Sequence, residues 1–318
     1  MAFALRATVH APGSIGNLGP GLDVLGAAVT GAGDSVTAEW CERAGVLILD
    51  SGHPDLPADA TRHSAGLAAL EVLRLATDHG VRYPPRGIGL TVRKGLPLSG
   101  GQGGSAASAV AGAMAVNTLI GSPLEHRDIL SACLTAESAV SGRHLDNIAP
   151  SLLGGICLVR HLDTLDVVQL PVPPRLRVVL AHPEQRLRTA DARAVLPATI
   201  ERHVAIEQTA NVAAMVAALH VGDFALLGRA LHDQIAEPAR SELLPGFAEA
   251  KRAALEAGAI GASISGAGPT VFALCDSDIG AQRVAHAMRA AYERTGVVVN
   301  VRLAHIDTAG ARLEGSPL

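Results

Sequence analysis

The sequence predicts an α+β protein built as two lobes, and three observations carry the prediction. Strand-like and helical stretches are interspersed without the regular βαβ alternation of a doubly wound sheet. A chain of 318 residues, 48% of them hydrophobic, has material for one large or two medium domains. The pattern also changes after Asp163, which places the join near 160–170 and divides the chain into an N-terminal lobe, 1–165, and a C-terminal lobe, 166–318.

Taken in order, a short strand at 7–10 is closed by Ala11-Pro12-Gly13. The next segment, Ser14-Ile15-Gly16-Asn17-Leu18-Gly19-Pro20-Gly21-Leu22-Asp23, surrounds two polar side chains with glycine and proline. It either turns a tight corner, for which Asn and Asp are ordinary residues, or holds Asn17 and Asp23 toward a ligand. Strands at 25–29, 35–40 and 46–49 complete a β-rich opening. Apolar residues at helical intervals over 62–79, stopped by Gly80, predict an amphipathic helix. A strand at 88–92 leads through a glycine loop into a helix of small apolar residues, 109–119. Ser122-Pro123 caps a further helix with Ile129, Leu130, Cys133 and Leu134 on one face and Glu137 near its end. A polar loop, 138–147, precedes Ile148-Ala149-Pro150-Ser151 and a strand at 156–160. The second half predicts strands at 167–170 and 177–181, a polar stretch at 183–193, and helices at 199–219, 224–235 and 245–257. A strand at 260–264, broken by Ser265-Gly266-Ala267-Gly268-Pro269-Thr270, resumes at 271–274. A helix at 279–292 and a strand at 297–303 follow.

The glycine loop is the chemically suggestive stretch: Pro97-Leu98-Ser99-Gly100-Gly101-Gln102-Gly103-Gly104-Ser105-Ala106-Ala107. Its glycines permit positive φ and leave N–H groups uncovered, and the helix it opens adds unpaired donors and a partial positive charge. That combination suits a phosphate, although a tight turn packed on its neighbour has the same composition. The loop contains no Gly-Lys-Ser/Thr, which excludes a Walker arrangement. A dinucleotide fingerprint fits Gly101-x-Gly103-x-x-Ala106. The acidic residue that should follow it, Glu125, however, sits at a helix start where a ribose-binding carboxylate would end a strand.

Net charge is −4 with a pI near 6.3, and basic residues form no cluster, which argues against nucleic acid as the main partner. Lysine occurs only at Lys94 and Lys251, so a cationic group in an active site is expected to be arginine. Cys41, Cys133, Cys157 and Cys275 are scattered without metal-ligand spacing and read as buried free thiols. The first residues lack a charged-then-apolar leader, and no apolar run looks long enough to span a bilayer. A soluble, cytoplasmic protein with no membrane partner is the expectation.

The glycine-rich segments near 13–21, 99–104 and 265–269 together resemble the three motifs of the small-molecule kinase superfamily that includes galactokinase, homoserine kinase, mevalonate kinase and phosphomevalonate kinase. Secondary matches resemble the homoserine kinase family in particular. These are Asn17-Leu18-Gly19-Pro20-Gly21-Leu22-Asp23, His144-Leu145-Asp146-Asn147-Ile148-Ala149-Pro150, Thr189-Ala190-Asp191-Ala192-Arg193 and Glu237-Pro238-Ala239-Arg240. The loop departs from the family's usual Gly-Leu-Gly-Ser-Ser-Ala-Ala, with Gln102 at the apolar position and Gly104 in place of one serine. Ser14 stands where the mevalonate and galactose branches carry a cation.

The resemblance implies a ribosomal-protein-S5-like first lobe that binds nucleotide and a ferredoxin-like second lobe that completes the substrate site. It implies ATP and Mg²⁺ as cofactors and phosphorylation of L-homoserine for threonine biosynthesis, the alternative being another small hydroxylated acceptor on the same fold; a homodimer is left open. The loop residues Pro97 to Ala107, with Ser265, Gly266 and Gly268, are then expected at the ATP phosphates. Ser105 and Glu137 are expected at the metal. Asn17 and Asp23 suit the substrate ammonium, and Thr189, Arg193 and Arg240 complete the substrate set, with the arginines on its carboxylate. Asn147 and His144 would orient the attacking hydroxyl, with Asp146 the alternative as a base. Without the resemblance, Glu137 and both arginines read as surface residues.

Overall fold

The computed structural model of the chain describes residues 3–315. The first sheet is laid down by β1 (Arg6–Gly16), β2 (Leu25–Cys41), β3 (Val46–Asp50) and β4 (Gly87–Arg93), in the spatial order β1-β2-β4-β3, antiparallel except for the β3–β4 pair. The strands expected at 25–29 and 35–40 are one continuous element. Pro12 pairs with Gly33 and Gly13 with Val29, so residues 30–32 bulge out of β2 opposite that step, with Gly31 at φ 91°. A bulge of this kind bends the strand without ending it.

Four helices cover one face of this sheet: α1 (Ser64–Asp78), α2 (Gly104–Leu119), α3 (His126–Val140) and α4 (Ile148–Leu153). α2 lies between the sheet and α1 and α3, and its Ala-rich sequence lacks a polar face because almost every side is buried. At Gly112 a Cβ would meet the Ala65 carbonyl at 2.8 Å, so glycine sets how closely α1 approaches. α3 begins at Glu125 with a capping box to Asp128, three residues beyond the expected cap at Ser122.

β5 (Ile156–His161) and β6 (Asp166–Leu170) form a hairpin that extends the first sheet from Leu25↔Leu158. By sheet membership a division after 165 falls inside this hairpin. The second sheet follows from β7 (Arg177–Pro183), β8 (Gly261–Ile264), β9 (Val271–Cys275) and β10 (Val299–Ala304), antiparallel throughout in the order β10-β7-β9-β8. A last strand, β11 (Arg312–Leu313), returns to pair with β1.

Between β7 and β8 lie α5 (Thr189–Ala194), α6 (Arg202–Val221), α7 (Phe224–Ala230), α8 (Ala236–Ser241) and α9 (Phe247–Glu256); α10 (Asp278–Arg294) precedes β10. The second sheet is buried on both faces. Val179, Ala181, Val271 and Ala273 pack against α9 and α10. Val178, Leu180, Phe272 and Leu274 pack against α6, α7 and the first sheet's Leu25, Ala27, Val29 and Ile156, giving one apolar cluster shared by both lobes. α6 is long and apolar enough to cross a membrane by length and composition alone, which corrects the expectation that no run is. Gln208, Met215, Ala218 and Leu219 are its buried residues. All four cysteines are free, with Cys133, Cys157 and Cys275 buried and Cys41 only partly so.

Candidate active site

The three glycine-rich segments, distant in sequence, meet at the join of the lobes. Gly103 caps α2 in the left-handed conformation (φ 67°), and Gly101 also has positive φ (71°), so the loop turns sharply into the helix and exposes its first-turn N–H groups. The first segment holds it from one side, as the Ser14 N–H donates to the Gln102 carbonyl at 3.1 Å. The third holds it from the other: the Ser265 hydroxyl donates to Gly101 O and the Thr270 hydroxyl to Gly100 O, each at 2.6 Å. The Gly266 N–H donates to Gly16 O at 3.0 Å, closing the ring of segments. A cleft of about 520 Å³ opens in front of the loop.

The two loop glycines at 103 and 104 differ in what they tolerate. A Cβ at Gly103 would strike Ser14 Oγ and approach Asn147 Oδ1 at 3.0 Å, whereas at Gly104 the nearest atom is Lys94 Nζ at 3.4 Å. Gly104→Ser, the family residue, should therefore fold and bind nucleotide like the parent. Gly103→Ala should lower the melting temperature and weaken nucleotide binding. Thermal melts and titration with a non-hydrolysable ATP analogue check both, and an inactive, folded Gly104→Ser would show that the loop needs glycine there.

Lys94 was missed as a site residue. It lies just beyond the end of β4, and its Nζ binds the Asp34 carboxylate, Ser108 Oγ (3.0 Å) and Gly104 O (3.1 Å) beneath the start of α2. Asp34 in turn accepts from Ser108 (2.7 Å) and from the N–H groups of Gly95 and Leu96. The cation beneath the first turn of α2 is thus a lysine, and the expected arginines, Arg193 and Arg240, line the same cleft. Arg62, His63, Arg186 and Arg188 also line the cleft without having been singled out.

Glu137 is 3% exposed, which corrects its reading as a surface residue. The fifteen-residue α3 turns it inward, where Ser105 Oγ donates to Oε2 at 2.7 Å and Ser64 Oγ lies 3.1 Å from Ser105. Burial pushes its carboxyl up, against the opposing pull of His144 and the Ser105 hydrogen bond. Among the described residues no three His, Cys, Asp or Glu side chains form a metal cage. A hydroxyl and a carboxylate at the mouth of the glycine loop nevertheless suit Mg²⁺, which takes one or two protein oxygens and completes its shell with phosphate and water.

Beyond Glu137 the polar residues of 144–147 face the same cleft. Ser14 Oγ donates to Asn147 Oδ1 at 2.9 Å, so the residue at the position of the missing cation fixes the Asn147 amide. Asp146 Oδ2 accepts from the Asn17 N–H at 3.1 Å. His144 Nδ1 lies 3.2 Å from Asp146 Oδ1 without the alignment of a hydrogen bond. Burial pushes His144 down, but Asp146 and Glu137 outweigh it and leave the imidazole raised. Both His144 ring nitrogens, Asp146 Oδ1 and Arg193 Nε are buried polar atoms without a protein partner.

The expected ammonium and carboxylate partners are already engaged with one another. Asp23 (φ 61°) accepts from both terminal nitrogens of Arg193, at 2.7 and 3.2 Å, and this pairing raises the guanidinium. Asn17 serves the corner itself, donating to Gly266 O (3.2 Å) and accepting from the Asp23 N–H (3.2 Å). The corner reading of the 14–23 segment is what these bonds show, and Asn17 and Asp23 also line the cleft. Arg240 is buried, not a surface residue, and binds Ala192 O (3.0 Å) and Gly266 O (2.8 Å); burial, then Arg193, lowers it.

Of the residues singled out by sequence, Asn17, Asp23, Pro97, Leu98, Ser99, Gly100, Gly101, Gly103, Gly104, Ser105, Glu137, His144, Asp146, Asn147, Thr189, Arg193, Arg240, Gly266 and Gly268 line the one cleft. Gln102, Ala106, Ala107 and Ser265 do not. The alanines are buried in α2, Ser265 stands behind the loop holding Gly101, and Gln102 faces a second cleft on the loop's far side.

Residues 66–155 match the GHMP kinases N terminal domain and residues 215–294 the GHMP kinases C terminal domain, so the fold and the cleft define a GHMP kinase, a phosphotransferase class. A homoserine kinase of Chloroherpeton thalassium is 39% identical over 298 residues, covering 91% of this chain and 93% of that protein. One from Arabidopsis thaliana is 40% identical over 315 residues, covering 96% and 84%. The crystal structure of homoserine kinase from Cytophaga hutchinsonii has a TM-score of 0.92 at 39% identity, covering 98% of each chain. Within the GHMP kinases, the chain belongs to the homoserine kinase family.

Proposed function

We propose that the protein transfers the γ-phosphate of ATP to the side-chain hydroxyl of L-homoserine, giving O-phospho-L-homoserine and ADP in the cytoplasm as a step of threonine biosynthesis. One observation carries the reading of the site: four buried polar atoms on residues lining the cleft, two on His144 and one each on Asp146 and Arg193, make no well-aligned hydrogen bond within the protein, His144 Nδ1 and Asp146 Oδ1 facing each other at 3.2 Å. Buried polar groups are nearly always paired, so this set calls for a ligand with both donors and acceptors. A small zwitterion with a hydroxyl supplies them. Its ammonium meets the carboxylates of Asp146 and Asp23, its carboxylate meets Arg193 with Arg240 behind, and its hydroxyl meets Asn147 and His144.

Phosphoryl transfer leaves little covalent work to the protein, and positioning with charge neutralisation supplies most of the rate. The glycine loop and the start of α2 donate N–H groups to the phosphates. Ser105 and Glu137 would hold Mg²⁺, which supplies neutralisation of the developing phosphate charge. Asn147, fixed by Ser14, cannot accept a proton. With Asp146 engaged by the substrate ammonium, the attacking hydroxyl gives its proton to phosphate oxygen or water as its oxygen bonds to the γ-phosphorus and the bond to the β-phosphate oxygen breaks. ADP formation with L-homoserine, compared with hydroxylated acceptors lacking the amino or the carboxylate group, tests the assignment. Equal turnover of an acceptor lacking either group would refute it.

Arg193→Leu provides the residue-level check. Losing the charged partner of the substrate carboxylate typically costs about 1.5–3 kcal/mol, so the KM for homoserine should rise about ten- to a hundredfold while the KM for ATP changes little. Asp23, left behind, remains partly exposed, so stability should hold. Equal weakening of both substrates would detach Arg193 from this role.

A further inference from the structure

Gln102 interrupts an otherwise glycine-rich and apolar loop with an amide, and that amide is buried. A buried amide needs partners for its carbonyl and its NH₂. Both come from the C-terminal lobe. Arg302, on β10, donates from Nη2 to Gln102 Oε1 at 2.9 Å, and Gln102 Nε2 donates to Thr270 Oγ1 at 3.2 Å. The other terminal nitrogen of Arg302 donates to Thr30 O at 2.6 Å, in the bulge of β2. The guanidinium thus spans three elements: the second sheet, the bulge of the first, and the glycine loop.

Its environment makes the contact consequential. Arg302 has no carboxylate partner among the described residues, and burial pulls it down to about 10, so its charge is stabilised mainly by these two neutral acceptors. Thr270 continues the chain of contacts. Its single hydroxyl proton goes to Gly100 O, so it accepts from Gln102, and His182 Nδ1, 3.0 Å away, is the donor of that pair. Loop residues 100–102 are therefore each gripped by the second lobe, at Gly100 and Gly101 through backbone carbonyls and at 102 through the side chain.

We propose that Arg302 and Gln102 act as one positioning unit through which the C-terminal lobe sets the glycine loop for nucleotide phosphates. Neither residue lines the candidate active-site cleft, so the unit acts through loop geometry rather than by touching ATP. The inference rests on the reading of this loop as the phosphate cradle. It explains how the loop accommodates a polar residue at 102: an arginine meets it from the facing strand.

The test is calorimetric titration of the full-length chain with a non-hydrolysable ATP analogue and Mg²⁺, beside steady-state KM values and thermal melts. Arg302→Leu removes the donor to Gln102 Oε1 and Thr30 O, and Gln102→Leu removes one acceptor of the Arg302 guanidinium; each should weaken the analogue about tenfold, equivalent to about 1.4 kcal/mol, with the KM for homoserine nearly unchanged. The double variant replaces both partners with apolar groups, so its affinity should return to within about threefold of the parent. Losses that multiply in the double variant, or single variants that melt earlier yet bind the analogue like the parent, would overturn the proposal. Should Arg302→Leu not fold, Arg302→Lys serves, because an ammonium keeps the charge but loses the fork that reaches both acceptors. A severalfold weaker affinity is expected, and parental affinity would sink the idea. A parent chain that fails to bind the analogue at all would refute the cradle itself, a separate result.

Discussion

Glu137→Gln is expected to form ADP about a thousandfold more slowly than the parent at saturating Mg²⁺, which corresponds to about 4 kcal/mol of transition-state stabilisation, within the several kcal/mol a metal centre supplies. The substitution keeps shape and volume. Ser105 can still donate to the amide oxygen, so the change removes little besides the charge. Folding should not suffer. A carboxyl whose pKa burial raises holds its proton more tightly when folded, so ionising it, as pH rises from the ordinary carboxylate range toward the raised value, costs stability. Glutamine removes that cost, and the variant should melt at or above the parent's temperature at neutral pH. Parental turnover with a changed melt would make Glu137 a packing residue and remove the metal role proposed for it.

Lys94→Met is expected to cost about 3–5 kcal/mol of stability, because it leaves the Asp34 carboxylate buried without its cation. Asp34 retains its bonds from Ser108, Gly95 and Leu96, but these are neutral donors. Adding Asp34→Asn removes the stranded charge, so the double variant should recover part of the loss, and urea denaturation of the four proteins measures the coupling. The same ammonium also holds Gly104 O at the first turn of α2, so nucleotide affinity should fall with the single variant. A loss below about 1 kcal/mol would place the pair among the weak ion pairs of exposed surfaces.

What could be read from the sequence was local. The glycine segments, the helix at 64–78 and the strand at 87–93 announce themselves through turn chemistry and periodicity, and the meeting of the 17–23, 144–147 and 189–193 segments follows from their resemblance to known kinases. Contacts that depend on distant strands could not be read. Nothing around 30–32 shows that β2 bulges there without ending, since the register is set by pairing with β1. The two-residue β11 is too short to leave a pattern. Lys94 carries no motif, and only the folding of β4 beneath α2 brings it to Asp34 and Ser108, which precede and follow it by 60 and 14 residues. Gln102 was legible as an oddity. Its partner lies 200 residues on.

The return of β11 to β1 separates the order in which the chain is written from the order in which it is finished. Asp307 binds Ala28 and Gly155 through its backbone and Gly310 and Arg312 through its carboxylate, and the Glu314 N–H donates to Thr8 O. The first lobe is therefore discontinuous, its opening residues joined by a late segment, and the second lobe is threaded into it as an insertion. During synthesis the first lobe must wait, one edge unsealed, until the whole second lobe has been made. A single cut between the lobes releases no complete half.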